Sequence, residues 1–128
     1  MKPSAVLLVV AALQLGCGAA LSAEGKAQDG EEVFKACRAC HQVGPTAKNA
    51  LGPVLNGIVD RKAGTIEGFN YSPANQKAGQ DGWVWTEEVL NKYLENPKQA
   101  MPGNRMAFAG VKDAQDRADL IAYLKTLK

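Results

Sequence analysis

Cys37-Arg38-Ala39-Cys40-His41 decides how the rest of this chain is read. Two thiols three residues apart, with an imidazole directly after the second, form the C-x-x-C-H pattern of covalent c-type haem attachment. Each cysteine sulfur can add to one vinyl group of the macrocycle, and His41 then reaches the iron as proximal axial ligand. Positions i, i+3 and i+4 share one face of a helix, so a single turn points both thiols and the imidazole the same way. The spacing predicts that this motif closes a first helix.

Other uses of the same residues fit less well. A redox dithiol sits at a helix start after a strand in a βαβ pattern, and nothing strand-like precedes Cys37. A structural zinc site takes four protein ligands, whereas the whole chain holds three cysteines and one histidine. One of those cysteines, Cys17, falls in a segment expected to be removed.

That segment is residues 1–23. Lys2 gives a positive start, Ala5 to Leu15 is apolar, and small residues follow as far as Ala23, the pattern of an export signal. Cleavage is expected after Ala23, with Ala20 as second choice, which delivers the mature protein to the periplasm. The apolar run is shorter than the roughly 20 residues a membrane span needs, so no stable membrane insertion is expected. Cys17 after Gly16 raises a lipid anchor, but Gln14 stands where a leucine would be expected. A small residue late in the signal is the better reading.

The 128-residue chain allows one domain, residues 24–128. Without Lys2 it carries fourteen basic and thirteen acidic side chains, a formal net of +1. That balance argues against a nucleic-acid partner. No internal repeat, charge block or low-complexity tract appears. A chain this short has a thin core unless something staples it, and a flat apolar macrocycle would do so.

Hydrophobic spacing predicts an all-α protein. Asp29 reads as the N-cap of the first helix, with Val33, Phe34, Cys37, Cys40 and His41 on one face. From Gln42 to Trp85 the signals are mostly loop, broken by Gly44-Pro45, Gly52-Pro53 and Asp81-Gly82, with one short helix over Tyr71 to Lys77. So much irregular chain suits loops that pack on a ligand instead of on each other. Thr86 starts another helix that stops at Asn96-Pro97. Residues 97–112 read as loop, and Asp113 caps a last helix carrying Leu120, Ile121, Leu124 and Leu127 on one face.

His41 is the only histidine, so two histidines of one chain cannot ligate the iron. Beyond residue 23 the only methionines are Met101 and Met106, both in the 97–112 loop. Spacing alone leaves both open as thioether donors.

The chain resembles the class I, mitochondrial-like cytochromes c, also found as soluble carriers in proteobacteria. The similarity runs through nearly all of residues 24–128. It rests on the haem motif, on Gly52-Pro53, on Gly68-Phe69-Asn70-Tyr71-Ser72-Pro73-Ala74-Asn75 and on Tyr93-Leu94-Glu95-Asn96-Pro97-Lys98. It continues through Pro102-Gly103-Asn104-Arg105-Met106-Ala107-Phe108-Ala109-Gly110 and Asp119-Leu120-Ile121-Ala122-Tyr123-Leu124-Lys125. The resemblance implies the cytochrome c fold: three main helices plus short helices and long loops wrapped around one covalent haem c, held through Cys37 and Cys40. Its ligand methionine matches Met106, and Met101 falls where the family carries an aliphatic residue and reads as packing.

Further roles follow from the same resemblance. Pro53 matches the proline whose carbonyl holds the ligand histidine. Gly30, Phe34, Leu120 and Tyr123 match the crossing of the first and last helices. Arg61, Tyr71 and Trp85 match residues near the haem propionates. Asn75, Tyr93 and Asn104 match polar groups on the methionine side, with Asn104 in place of the more usual threonine. Read without the resemblance, Trp85 and Tyr93 would be core aromatics and Arg61 a surface charge.

An iron with both axial positions filled by His41 and Met106 changes by one electron with little rearrangement. The expected function is a monomeric periplasmic electron carrier, not an enzyme. By resemblance, the donor is a cytochrome bc complex and the acceptor a terminal oxidase or a photosynthetic reaction centre. Lys35, Arg38, Lys48, Lys98, Arg105 and Lys112 flank the haem motif and the Met106 loop. They are the expected basic docking groups, whose steering weakens with salt. The rival classes are a five-coordinate haem sensor or enzyme, and a thiol–disulfide oxidoreductase with Cys37 and Cys40 free.

Overall fold

In the computed structural model of the chain, which describes residues 24–128, helix α1 (Ala27–Phe34) crosses helix α5 (Ala114–Thr126). Glycine makes the crossing possible. A Cβ on Gly30 would collide with the Asp119 carbonyl and come within 2.8 Å of the Tyr123 Cβ. Gly25 meets the Ala118 carbonyl in the same way one turn earlier. Beside the glycines, Phe34 is fully buried and its ring centroid lies 5.3 Å from that of Tyr123, while Leu120 is 1% exposed. Burial of such side chains stabilises the crossing by roughly 1.5–3 kcal/mol each.

The start of α1 differs from the sequence expectation. Lys26, not Asp29, is the N-cap, and it offers no capping side chain. Instead the Lys26 N–H donates to the Asp119 carboxylate at 2.7 Å, a bond supplied from α5. Asp29 lies in the first turn, where negative charge complements the helix dipole. The end differs too. Past Phe34 the chain tightens into a 3-10 turn at Lys35–Cys37 and then a plain turn, so the haem motif follows the α-helix instead of closing it.

The remaining helices follow their caps. Helix α2 (Pro73–Gln80) begins after Ser72, whose hydroxyl accepts from the Asn75 N–H, a start two residues later than expected. Helix α3 (Glu87–Glu95) is capped by Thr86, and α5 by the Asp113 carboxylate, which accepts from the N–H groups of Gln115 and Asp116. A short helix α4 (Pro97–Ala100) occupies the start of the stretch expected to be loop. Asn96 caps it, and Pro97 takes the first position, where its missing N–H costs nothing. Sequence periodicity cannot register a single turn.

No strand is formed among the described residues. An isolated antiparallel bridge joins Lys62 and Val84, extended by Trp85 N–H to Arg61 carbonyl at 2.8 Å and Ala63 N–H to Trp83 carbonyl at 2.9 Å. It ties the long loop to the start of α3. One core unites these parts, with Phe34, Trp85, Leu90, Tyr93, Met101 and Leu120 among its buried members. Among the described residues no helix is long and apolar enough to cross a membrane. The export segment expected at residues 1–23, its cleavage after Ala23 and the Cys17 alternative lie outside the described residues.

Candidate functional site: a covalent haem pocket

The turn after α1 gathers the motif. The N–H groups of Cys40 and His41 both point back to the Cys37 carbonyl, at 3.1 and 2.9 Å. This one turn carries both thiols and the imidazole. Cys37 and Cys40 are unbridged and half-buried, and burial, helped by the neighbouring Cys40 sulfur, pushes the Cys37 thiol above its ordinary range. A thiol kept protonated by burial, as Cys37 is, is a poor nucleophile.

His41 is positioned by the Gly52-Pro53 doublet. Its Nδ1 lies 2.8 Å from the Pro53 carbonyl oxygen, which can only accept, so Nδ1 carries the proton and Nε2 keeps its lone pair. Burial pushes the imidazole below its ordinary pKa; the Pro53 bond opposes that shift, and the Arg61 charge adds to it. The neutral ring, the form that ligates a metal, is favoured. Gly52 is the seat of the ring: a Cβ there would fall 2.6 Å from Nδ1 and 2.8 Å from Nε2. The Gly52 N–H also donates to the Cys40 carbonyl at 2.8 Å, closing the loop onto the motif. A Gly-Pro doublet reads as a turn in sequence, which hides this second role.

A second group of residues continues from Pro53. The Arg61 guanidinium donates to the Asn56 and Val54 carbonyls at 2.9 and 3.2 Å, so it is a half-buried strut for the loop, not a free surface charge. Trp85 is 6% exposed and packs edge-on against Tyr93 at 4.8 Å and against Trp83 at 5.7 Å. Burial pushes the Tyr93 hydroxyl up to about 12. Tyr71 is buried, and its hydroxyl accepts from the Ile66 N–H at 3.1 Å.

Met106 is held from one side by Asn104. The Asn104 amide donates to the Pro97 and Met101 carbonyls, both at 2.8 Å, and its oxygen accepts from the Met106 N–H at 2.9 Å. An amide offers a donor and an acceptor at once, so it can serve both α4 and Met106. Arg105 donates to the Tyr71 carbonyl at 3.0 Å and ties this loop to the one before α2. Met101 is 4% exposed inside the core, while Met106 is only partly covered at its margin.

Among the described residues no hydrogen bond joins the His41 group to the Met106 group. They meet through the core, since Cys37 and Met106 both pack against the cluster that includes Trp85 and Tyr93. The residues present fit a haem. Two half-buried thiols share a turn with an imidazole whose Nε2 is unengaged, and the Asn75 side-chain oxygen is buried with no hydrogen-bond partner. Among the described residues no cluster of three or more His, Cys, Asp and Glu gathers to hold a bare metal ion. These features fit an all-α protein that carries a covalently attached haem.

The chain belongs to the cytochrome c family, whose profile matches residues 27–128. It is 52% identical to cytochrome c2 of Blastochloris viridis over 118 residues, covering 92% of this chain and 91% of that one. It is 51% identical to cytochrome c2 of Rhodomicrobium vannielii over 126 residues, covering 98% and 97%. The solved structure of cytochrome c2 from Rhodospirillum centenum superposes with a TM-score of 0.75 at 44% identity, covering 80% of this chain and 98% of that one. The fold is therefore the cytochrome c fold, and the cofactor is one haem c bound through Cys37 and Cys40.

Proposed function

We propose that the protein is a soluble periplasmic one-electron carrier, not an enzyme, with His41 and Met106 as the two axial ligands. The observation that carries the reading is the 2.8 Å contact of His41 Nδ1 with the Pro53 carbonyl, which leaves Nε2 as the only ring nitrogen able to bind iron. Bound haem supplies a one-electron iron couple. The chain supplies the rest. Pro53 fixes the His41 tautomer and raises its basicity. Asn104 and Arg105 fix the loop that presents the Met106 thioether. Trp85, Tyr93 and Tyr71 exclude water, which disfavours the extra ferric charge and raises the potential. Arg61, Tyr71 and Trp85 are assigned to the propionate side, and Asn75, Tyr93 and Asn104 to the methionine side.

The cytochrome c2 relatives support an electron carrier, and the route proposed for it runs from a cytochrome bc complex to a terminal oxidase or reaction centre. Of the six cations expected to dock such partners, Lys35 pairs with Glu32 at 2.5 Å and Arg38 with Glu31 at 3.5 Å. Arg105 and Lys112 bond backbone carbonyls and so keep their full charge. Lys48 and Lys98 have no ion-pair partner among the described residues. Arg105 and Lys112 flank the Met106 loop on both sides, where a partner would receive the electron.

The test is an optical spectrum of the oxidised and reduced protein beside Met106→Ala. We expect the weak far-red band of thioether-ligated ferric haem in the parent protein. In the variant the band should vanish, the potential should fall and carbon monoxide should bind. An unchanged band and potential in Met106→Ala would rule out the ligand assignment, and carbon monoxide binding to the parent protein would favour a sensor or enzyme.

A further inference from the structure

Arg117, on α5, is 7% exposed, and no carboxylate pairs with it among the described residues. A guanidinium is rarely buried this way, because its charge must be met by oxygens of fixed direction. Here the oxygens are three. Its Nε donates to the Asn91 side-chain oxygen on α3 at 2.9 Å, and its Nη1 to the Val111 and Lys112 carbonyls at 2.9 and 3.0 Å. Two of the three belong to the far end of the loop that carries Met106.

That end is gripped from other directions as well. The Val111 N–H donates to the Leu94 carbonyl at 2.7 Å. The Lys112 ammonium donates to the Glu95 and Ala109 carbonyls at 2.6 and 2.9 Å. Gly110 passes so close to the end of α3 that a Cβ would meet the Leu94 and Glu95 carbonyls. Asn104 forms the near foot of the loop, and residues 110–112 form the far one. Val111 is the only residue of this far foot held on both its N–H and its carbonyl edge.

We propose that Arg117 is a positioning residue for the Met106 loop, a latch that joins its far foot to α3 and α5 and so limits how readily the thioether leaves the iron. The proposal rests on the reading of Met106 as ligand. A planar fork serves Asn91 and the two carbonyls together; a lysine ammonium reaches fewer of them, and a methionine reaches none. With the latch cut, the near foot still holds, and the strap between the feet gains freedom to swing.

The experiment follows cyanide binding to the ferric holoprotein by stopped flow, since cyanide must displace the sixth ligand. Parent protein, Arg117→Lys, Arg117→Met and Met106→Ala are compared with Asp119→Asn, which loosens the contact of α1 with α5 and touches no part of the loop. Urea midpoints are measured for all. We expect cyanide to enter Arg117→Met about tenfold faster than the parent or more, since both charge-assisted hydrogen bonds to the loop are lost. Arg117→Lys should be intermediate and remains informative where Arg117→Met does not fold. Asp119→Asn should lose stability with no gain in rate. If the Arg117 variants are no faster than Asp119→Asn at equal stability loss, the latch is overturned while Met106 stands. If the parent binds cyanide as fast as Met106→Ala, the ligand assignment fails and the latch fails with it.

Discussion

The crossing of α1 with α5 and the loop that carries Met106 are held by opposite means. At the crossing, two glycines let backbones touch, and Phe34, Leu120 and Tyr123 fill the space beside them. In the loop, Met106 and Val111 are only partly buried against the core, and position comes also from side chains bonded to main-chain carbonyls: Asn104, Arg105, Lys112 and Arg117. Close packing fails all at once when volume is added, because interiors have no spare space. A hydrogen-bonded strap fails one bond at a time, and each net loss is modest. The first design suits a scaffold, and the second suits a segment proposed to hold a ligand to a cofactor.

Three substitutions press on that contrast. Gly30→Val sets a branched side chain against the Asp119 carbonyl, which is backbone and cannot turn aside. It should cost about 3 kcal/mol or more in urea denaturation of the holoprotein, or prevent folding. Asn104→Ala removes three hydrogen bonds at the near foot and should cost about 1–3 kcal/mol. Its amide hydrogen exchange should quicken over residues 101–108 and stay unchanged in α1 and α5. If Asn104→Ala proved the costlier of the two, or loosened the terminal helices, the division between the regions would be wrong.

The smallest effect concerns pH. The Lys26 N–H, followed by the Gln115 amide, holds the Asp119 carboxyl below the usual carboxylate range. The folded state therefore binds that proton less tightly than the unfolded chain, whose value is about 3.9. The resulting stability is fully present above about pH 4 and is lost as the pH falls through the folded value. Asp119→Asn should be less stable at neutral pH and show a shallower acid-unfolding curve below about pH 4. A curve parallel to that of the parent would remove Asp119 from the account.

Residue patterns carried a large part of this molecule. The haem motif, the caps at Thr86 and Asp113, and the apolar face of α5 all depend on neighbours within a turn or two, and such local chemistry is visible in a linear chain. The misread features are those that depend on partners far away. Asp29 reads as the α1 N-cap because its side chain can cap, whereas in the structure the N-cap is Lys26, whose N–H bonds Asp119, 93 residues away. Helix α4 is too short to show a period.

The sequence by itself determined the helical class and the thiols of the haem site, and through the family resemblance it singled out the proposed ligands, His41 and Met106 in preference to Met101. Only the tertiary structure decided that Gly52 seats the His41 ring, that Arg61 braces the loop instead of facing water, and that a buried Arg117 grips the far end of the Met106 loop. The physical reason is common to all three. Glycine's missing atom and arginine's fork gain meaning from what lies against them, and those neighbours are brought there by the fold.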